Sequence, residues 1–431
     1  VPATATATVN NVSAPLQFSS GGTLVLSGNK QVLNADLQLV GTLGNSVTDG
    51  VWLADGLYTI RVQPSGTELQ KWARTIYSNT GSLSLDGIPL RIFKVDDNRV
   101  AIVTLVNGGY VAFYLVSSDF SVTSSVVNTP NAATSVKSLG DFDGDGKADL
   151  IWTNTATGER SMWLMNGSGM KAGASLGVVP VQWVVSATAD FDGDGKVDIF
   201  WTNTVTGDRA IWLMDGSTMR SNTFMGTVPV DWVISGTGDF DGDGKQDLVW
   251  TNTTTGDRAM WLMNGNAVKG GGYLGTVPVA WQISGVGDFN GDGKADLIWS
   301  NTVTGEHSMW FQNGSTTTSG ATLNTVPVAW VISGVGDFNG DGKADVFLTN
   351  TVSGDRVIWL MNGSTIVTNA FMGTVPVEWA ISGTGDFNGD GKKDVVWTNT
   401  TTGDRAMWLL NGSTVTGGGF MGTVPVTWHI N

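Results

Sequence analysis

Asp141-Phe142-Asp143-Gly144-Asp145-Gly146-Lys147-Ala148-Asp149 is the first of six copies of one nine-residue loop. The other copies begin at Asp190, Asp239, Asp288, Asp337 and Asp386 and read DFDGDGKVD, DFDGDGKQD, DFNGDGKAD, DFNGDGKAD and DFNGDGKKD. Each starts 49 residues after the last. A fixed period of this length marks a solenoid or a propeller, in which each unit buries its apolar surface only by stacking on its neighbours.

Working outward from Asp239, the unit parses into four extended segments. Trp232 to Gly238 leads into the loop and Leu248 to Asn252 follows it. Thr254-Thr255-Gly256-Asp257 then reverses the chain into Arg258 to Met263, and Asn264-Gly265 reverses it again into a Gly-rich strand ending at Val279. Such turns between aromatic and β-branched runs are hairpin signals. Apolar residues at successive positions, as in LVW and MWLM, require both sheet faces to be covered, as in small sheets stacked around an axis.

The register continues upstream. Ile102-Val103-Thr104 aligns with Ile151-Trp152-Thr153, but the loop position Ile92 to Val100 reads IFKVDDNRV and has lost the acidic pattern. The spacing therefore predicts an all-β, seven-bladed propeller over residues 85–431, with ring closure between Trp428–Asn431 and the first-strand position at Leu85–Ile88.

Residues 1–84 leave this register and predict a small β-rich accessory or assembly domain. Strands are expected in Leu24–Leu39, and a hairpin around Asp55-Gly56 in Trp52–Val62. Leu69, Trp72, Ala73 and Ile76 at helical spacing predict one short helix in Glu68–Tyr77. Ala3-Thr4-Ala5-Thr6-Ala7-Thr8-Val9 alternates with period two and reads as an edge strand, in its own domain or added to a neighbouring subunit.

The loop chemistry points to calcium. This hard cation takes six to eight oxygen ligands, and carboxylates at positions 1, 3 and 5 converge on it where Gly permits a sharp bend. In the first copy the candidate ligands are Asp141, Asp143, Asp145, Asp149 and the carbonyl of Lys147. The equivalent sets are Asp190, Asp192, Asp194, Lys196 and Asp198; Asp239, Asp241, Asp243, Lys245 and Asp247; and Asp288, Asn290, Asp292, Lys294 and Asp296. Asp337, Asn339, Asp341, Lys343 and Asp345, and then Asp386, Asn388, Asp390, Lys392 and Asp394, complete the six. Uncompensated, so many carboxylates in one loop repel each other by kilocalories.

Charge agrees with that reading. The formal net charge is −15, from 38 acidic and 23 basic residues, which disfavours nucleic acid and anionic membranes as partners. The six loops hold much of the acid, so it reads as ligand supply. No Cys is present, which excludes disulfides, thiolate zinc sites and cysteine nucleophiles. Val1-Pro2-Ala3 without an initiator Met reads as a processed terminus, and Val100–Val116, broken by Asn107-Gly108-Gly109, reads as a hairpin rather than a membrane span. Weak calcium modules are typical of extracellular fluid, so secretion or surface attachment is expected.

These loops resemble the FG-GAP or VCBS repeats of secreted bacterial proteins and of the integrin α-chain propeller, over about residues 89–431. The resemblance implies a calcium-binding propeller and leaves activity open, since the family includes adhesins, lectins, surface-layer or fibre components and propellers appended to enzymes. The departing unit at Ile92–Val100 is assigned no metal.

Three further sets remain. Trp183, Trp232, Trp281, Trp330, Trp379 and Trp428, each after Pro-Val and one more residue, are the candidate sugar-stacking positions, against a role as inter-blade core. Arg160, Arg209, Arg258, Arg356 and Arg405, with His307 in the remaining unit, read as solvated turn ion pairs or as readers of a glycan or acidic partner. Asn166, Asn313, Asn362 and Asn411 match a glycosylation pattern but read as hairpin turns. Only His307 and His429 could serve as imidazole bases, and near-identical units argue against one differentiated active site. The expected function is non-enzymatic extracellular adhesion or structural assembly; the alternatives are a multivalent lectin and the propeller of a polysaccharide-degrading enzyme.

Overall fold

The computed structural model describes residues 16–18, 24–27, 31–34, 39–44, 47–63, 66–73, 77–85, 88–106, 110–128 and 138–431. The strand expected at Ala3–Val9 lies outside the described residues. All described regular structure is strand, in nine four-stranded antiparallel sheets. No helix of the described residues is long and apolar enough to cross a membrane.

The chain divides into two compact units, Val1–Ala132 and Ala133–Asn431. The first holds three sheets: Leu16–Phe18 to Leu39–Thr42, Asp49–Leu53 to Asn79–Leu85, and Ile88–Lys94 to Val122–Asn128. The hairpin expected at Asp55-Gly56 is present, with Leu53 paired to Gly56, and so is the one in Val100–Val116, with Val106 paired to Tyr110. The helix expected in Glu68–Tyr77 is instead the strand Gly66–Trp72. Pairing with Gly56–Gln63 decides the matter, because both faces of this strand are covered: Leu69 is buried on one, and Trp72 on the other donates its indole N–H to Thr59 Oγ1 at 2.8 Å.

The unit boundary falls at Ala132 rather than at residue 84. Ile92, Val100, Ile102 and Val116 of the third sheet pack on Leu53, Tyr58, Ile60 and Leu69 of the second, forming one apolar cluster. Burying each such side chain contributes roughly 1.5–3 kcal/mol, enough to fix the partner of a sheet.

The second unit contains six sheets, numbered here as blades. Blade 2 is Trp183–Ala189, Asp198–Asn203, Asp208–Asp215 and Thr218–Thr227. Blades 3, 4, 5 and 6 repeat it from Trp232, Trp281, Trp330 and Trp379. In blade 1 the strands Leu150–Asn154, Glu159–Asn166 and Gly169–Val178 are completed by the C-terminal strand Trp428–Ile430. Thus seven sheets follow the 49-residue register, from Ile88 onward, but the ring closes on six.

Closure therefore differs from the expected pairing at Leu85–Ile88. Trp152 pairs with Ile430, Thr153 with His429 and Asn154 with Trp428, and the Asn431 N–H donates to the Ile151 carbonyl at 2.9 Å. Ser138 bridges to Thr384 of blade 6. The inner edge of blade 1 is thereby shared between the chain end and the segment entering the first loop. The place at Leu85–Ile88 is filled locally, since Ile88–Lys94 already pairs with Arg99–Val106.

The blade 6 to blade 1 junction repeats the others in detail. Gly167 N–H donates to the Phe387 carbonyl at 2.7 Å, as Gly216 does to Phe142 at 2.8 Å. Leu150, Trp152 and Met165 of blade 1 share a buried cluster with Phe387, Val396 and Met407 of blade 6.

Candidate metal centres

In blades 2 to 6 each acidic loop connects the first and second strands, and in blade 1 it leads from the segment at Ser138 into the second strand. In the first copy, Asp141 Oδ1 accepts from the backbone N–H of Gly144 at 2.6 Å and Oδ2 from Gly146 at 2.6 Å, which folds the loop around its first carboxylate. Asp143 accepts from Asp145 N–H and Asp145 from Lys147 N–H, at 3.2 and 3.0 Å. Gly144 and Gly146 have φ of 80° and 82°, a region in which a Cβ is strained, so positions 4 and 6 require Gly. The first-position carboxylate caps the other five loops in the same way.

The ninth residue anchors the loop. Asp149 is 1% exposed; its Oδ2 accepts from Phe142 N–H at 2.9 Å and its Oδ1 from Met165 N–H at 2.8 Å, tying the loop to the third strand. Burial pushes its carboxyl up to about 6, against those two hydrogen bonds. Asp247, Asp296 and Asp394 are also raised to about 6, and Asp198 and Asp345 to about 7, for the same reason. Phe142, Phe191, Phe240, Phe289, Phe338 and Phe387, at position 2, are buried plugs between blades.

The donor set fits a hard cation. Ligand oxygens of Asp141, Asp143 and Asp149 lie within 4.8 Å of one another, as do those of Asp190, Asp192 and Asp194 and those of Asp239, Asp241 and Asp247. Asp241 Oδ1 is buried without a hydrogen-bond partner. These clusters could hold a metal ion, with oxygen donors suited to the harder divalent cations.

Two features of these loops escaped the sequence reading. In the first three, a basic residue of the fourth strand reaches the carboxylates at positions 3 and 5: Lys171 Nζ lies 3.0 and 2.8 Å from Asp143 and Asp145. Arg220 lies 2.8 and 2.7 Å from Asp192 and Asp194, and Lys269 contacts Asp241 and Asp243. In the last three loops Asn290, Asn339 and Asn388 donate from Nδ2 to the position-5 carboxylate instead. The signal was available as a recurrence of Lys or Arg 28 residues after the position-3 Asp.

The repeated Arg residues are not solvated turn ion pairs. Arg160, Arg209, Arg258, Arg356 and Arg405 are 1% exposed. Each guanidinium donates from Nη2 to the backbone carbonyl that opens the next first strand, at 2.7–2.8 Å, and lies 5.2–5.4 Å from the ring centroid of a buried Trp in the next blade. Arg405 of blade 6 takes Trp152 of blade 1, so this latch also closes the ring. Where His307 replaces Arg, Leu348 replaces the Trp. His307 is buried, bonds through Nδ1 to Ser300 Oγ at 2.8 Å, and is held below the ordinary imidazole range by burial.

Trp183, Trp232, Trp281, Trp330, Trp379 and Trp428 are half-buried, packed at the rim of the inter-blade clusters. Asn166, Asn313, Asn362 and Asn411 end third strands at hairpin turns, as expected.

The sequence model of the FG-GAP-like repeat matches residues 141–201, 239–299, 288–348 and 337–397, together just over half of the chain. Among solved structures, a chain of a nidogen/laminin complex is similar at a TM-score of 0.44 and 12% identity, over 65% of this chain and 95% of that one. A protein of unknown function from Bacteroides caccae is similar at 0.36 and 12%, over 63% and 93%. The β-propeller domain of Cps50 (Swd1) from Myceliophteria thermophila is similar at 0.24 and 9%, over 83% and 95%. No curated protein matches. With its loops, its four-stranded sheets and this match agreeing, the chain belongs to the FG-GAP-like repeat family as an all-β propeller.

Proposed function

We propose that this is a secreted, non-enzymatic, calcium-stabilised propeller that acts outside the cell in adhesion or structural assembly, with a protein or glycan as partner. The observation that carries the reading is the contrast between the two ends of the second unit. One end bears the six acidic loops, each touched by the third-to-fourth-strand turn of a neighbouring blade. The other end bears the second-to-third-strand turns and the connectors between blades, where Thr204 N–H meets the Gln182 carbonyl.

That second end is ringed by exposed apolar residues. Val205, Val303 and Val352 are 71–78% exposed, and Val181, Val230, Val328, Val377 and Val426 are about half exposed. This ring of exposed apolar residues supports the reading of that end as a docking face. Six calcium ions at the other end would replace carboxylate repulsion with shared ligation and stiffen the ring. The non-enzymatic reading is supported by His307, which is enclosed between blades, and by the near-equivalence of the loops.

Retention of the purified chain on cells or extracellular matrix tests the reading. Val205→Asp, Val303→Asp and Val352→Asp together should abolish retention while leaving the melting temperature unchanged; retention that survives them, or release of reducing ends from polysaccharide, would overturn it. The half-exposed edges of Trp183 and its five equivalents, close to the same valines, favour a second reading as a lectin. Inhibition of retention by a simple sugar would select it.

A further inference from the structure

Resting on the calcium reading above, we propose that Lys171, Arg220 and Lys269 are built-in counter-cations that set the first three loops apart as a weaker class of divalent-cation site, held together without metal. The chain itself supplies the comparison. At the fourth-strand position the six blades read Lys171, Arg220, Lys269, Thr318, Val367 and Thr416, while loop position 3 reads Asp143, Asp192, Asp241, Asn290, Asn339 and Asn388. The exchange of Asp for Asn and the loss of the cation coincide in every blade.

The geometry explains the coincidence. Each basic head group is shared between the position-3 and position-5 carboxylates, and Arg220 is further fixed by donating from Nε to the Met214 carbonyl at 3.0 Å. Thr318 and Thr416 turn away and donate to the carbonyls of Phe311 and Leu409. The first five loops keep the same formal balance: four Asp against the loop Lys and the fourth-strand cation in the first three, three Asp against the loop Lys alone in the fourth and fifth. The sixth loop carries a second Lys at its eighth position, Lys393, which lines the axial cavity within electrostatic reach of Asp386 and Asp394 and away from positions 3 and 5.

A divalent ion approaching positions 3 and 5 of the first three loops must displace a fixed positive charge. In the last three it displaces only an amide hydrogen bond. With two exposed ion pairs to give up, the first class binds roughly tenfold more weakly. Removing the cation leaves those loops one carboxylate richer than the others, so the order inverts.

Native mass spectrometry of the full chain in graded calcium buffers counts the ions, and melting in chelator reports the metal-free state. The wild type should take up three ions and then three more. Lys171→Met, Arg220→Met and Lys269→Met together should lower the chelator melting temperature and strengthen the weaker step by about tenfold or more. The reciprocal pair Asn290→Asp with Thr318→Lys, two surface changes, should move one ion from the tight step to the weak one; Arg220→Lys should change neither step. Six ions taken up in a single step that all these variants leave unaltered would overturn the two classes and leave the calcium reading standing. No bound calcium in any form would overturn the calcium reading and the two classes with it.

Discussion

Burial weighs on the ninth residue of each loop. Asp149 and its equivalents are enclosed, and two backbone N–H groups each do not offset the loss of water, so their carboxyls rise to about 6 or 7. An unfolded Asp loses its proton near pH 4. Between about pH 4 and pH 7 these six carboxyls therefore bind more protons in the metal-free folded chain than in the unfolded chain, and their contribution to stability falls as pH rises through that window, against the opposite sense of His307 and Lys393, both held low by burial. Asp208, Asp257, Asp355 and Asp404, held below the ordinary value chiefly by hydroxyls of Thr227, Thr276, Thr374 and Thr423, act in the opposite sense only below that window. In chelator the melting temperature should be higher at about pH 5 than at about pH 7.5; a rise over that interval would show that the six carboxyls do not govern metal-free stability. The Asp residues themselves were legible from spacing alone. Their different states were not, because ionisation depends on enclosure by strands distant in sequence.

Between elements, the Arg latch converts a sequence repeat into a specific blade-to-blade bond. The guanidinium satisfies a first-strand carbonyl and covers an indole, and this pairing is absent only where His307 faces the blade carrying Leu348. Arg inserted at 307 alone meets an aliphatic partner, and Trp at 348 alone meets an imidazole. The double variant His307→Arg with Leu348→Trp should restore the latch with a favourable coupling of about 0.5–2 kcal/mol in a double-mutant cycle followed by thermal unfolding. Coupling near zero would assign the Arg residues to backbone satisfaction alone. Removing Arg209 by Arg209→Met leaves the Trp232 carbonyl without its donor and should cost about 1–3 kcal/mol. Sequence reading assigned these arginines to solvated hairpin turns, whereas each lies at the start of a third strand. A charged residue after Gly-Asp looks like surface until the neighbouring blade is known to supply an acceptor and an aromatic face.

At the scale of the molecule, period was legible and ring size was not. Register reports which residues are equivalent, and the sheet Ile88–Asn128 is equivalent to a blade, but closure depends on which sheet lacks a strand of its own. One signal was present: every blade from Trp183 onward opens its first strand with Trp, whereas the position 49 residues before Trp183 is Thr134. The C-terminal Trp428 supplies what that blade lacks. Asn431 completes the replacement, since it stands where the other blades have a bulge Ser and donates to Thr153 Oγ1 at 2.6 Å, in the manner of Ser235 with Thr251. Deleting residues 428–431 removes the pairing partner of Leu150–Asn154, the Trp428 carbonyl that Arg405 uses and the apolar contact of Ile430, which is 5% exposed. An unpaired edge beside exposed apolar surface recruits another chain. The truncated protein should melt well below the full chain and elute from size exclusion as dimers or larger species; elution as a monomer with an unchanged melting temperature would show that the ring holds without its C-terminal strand.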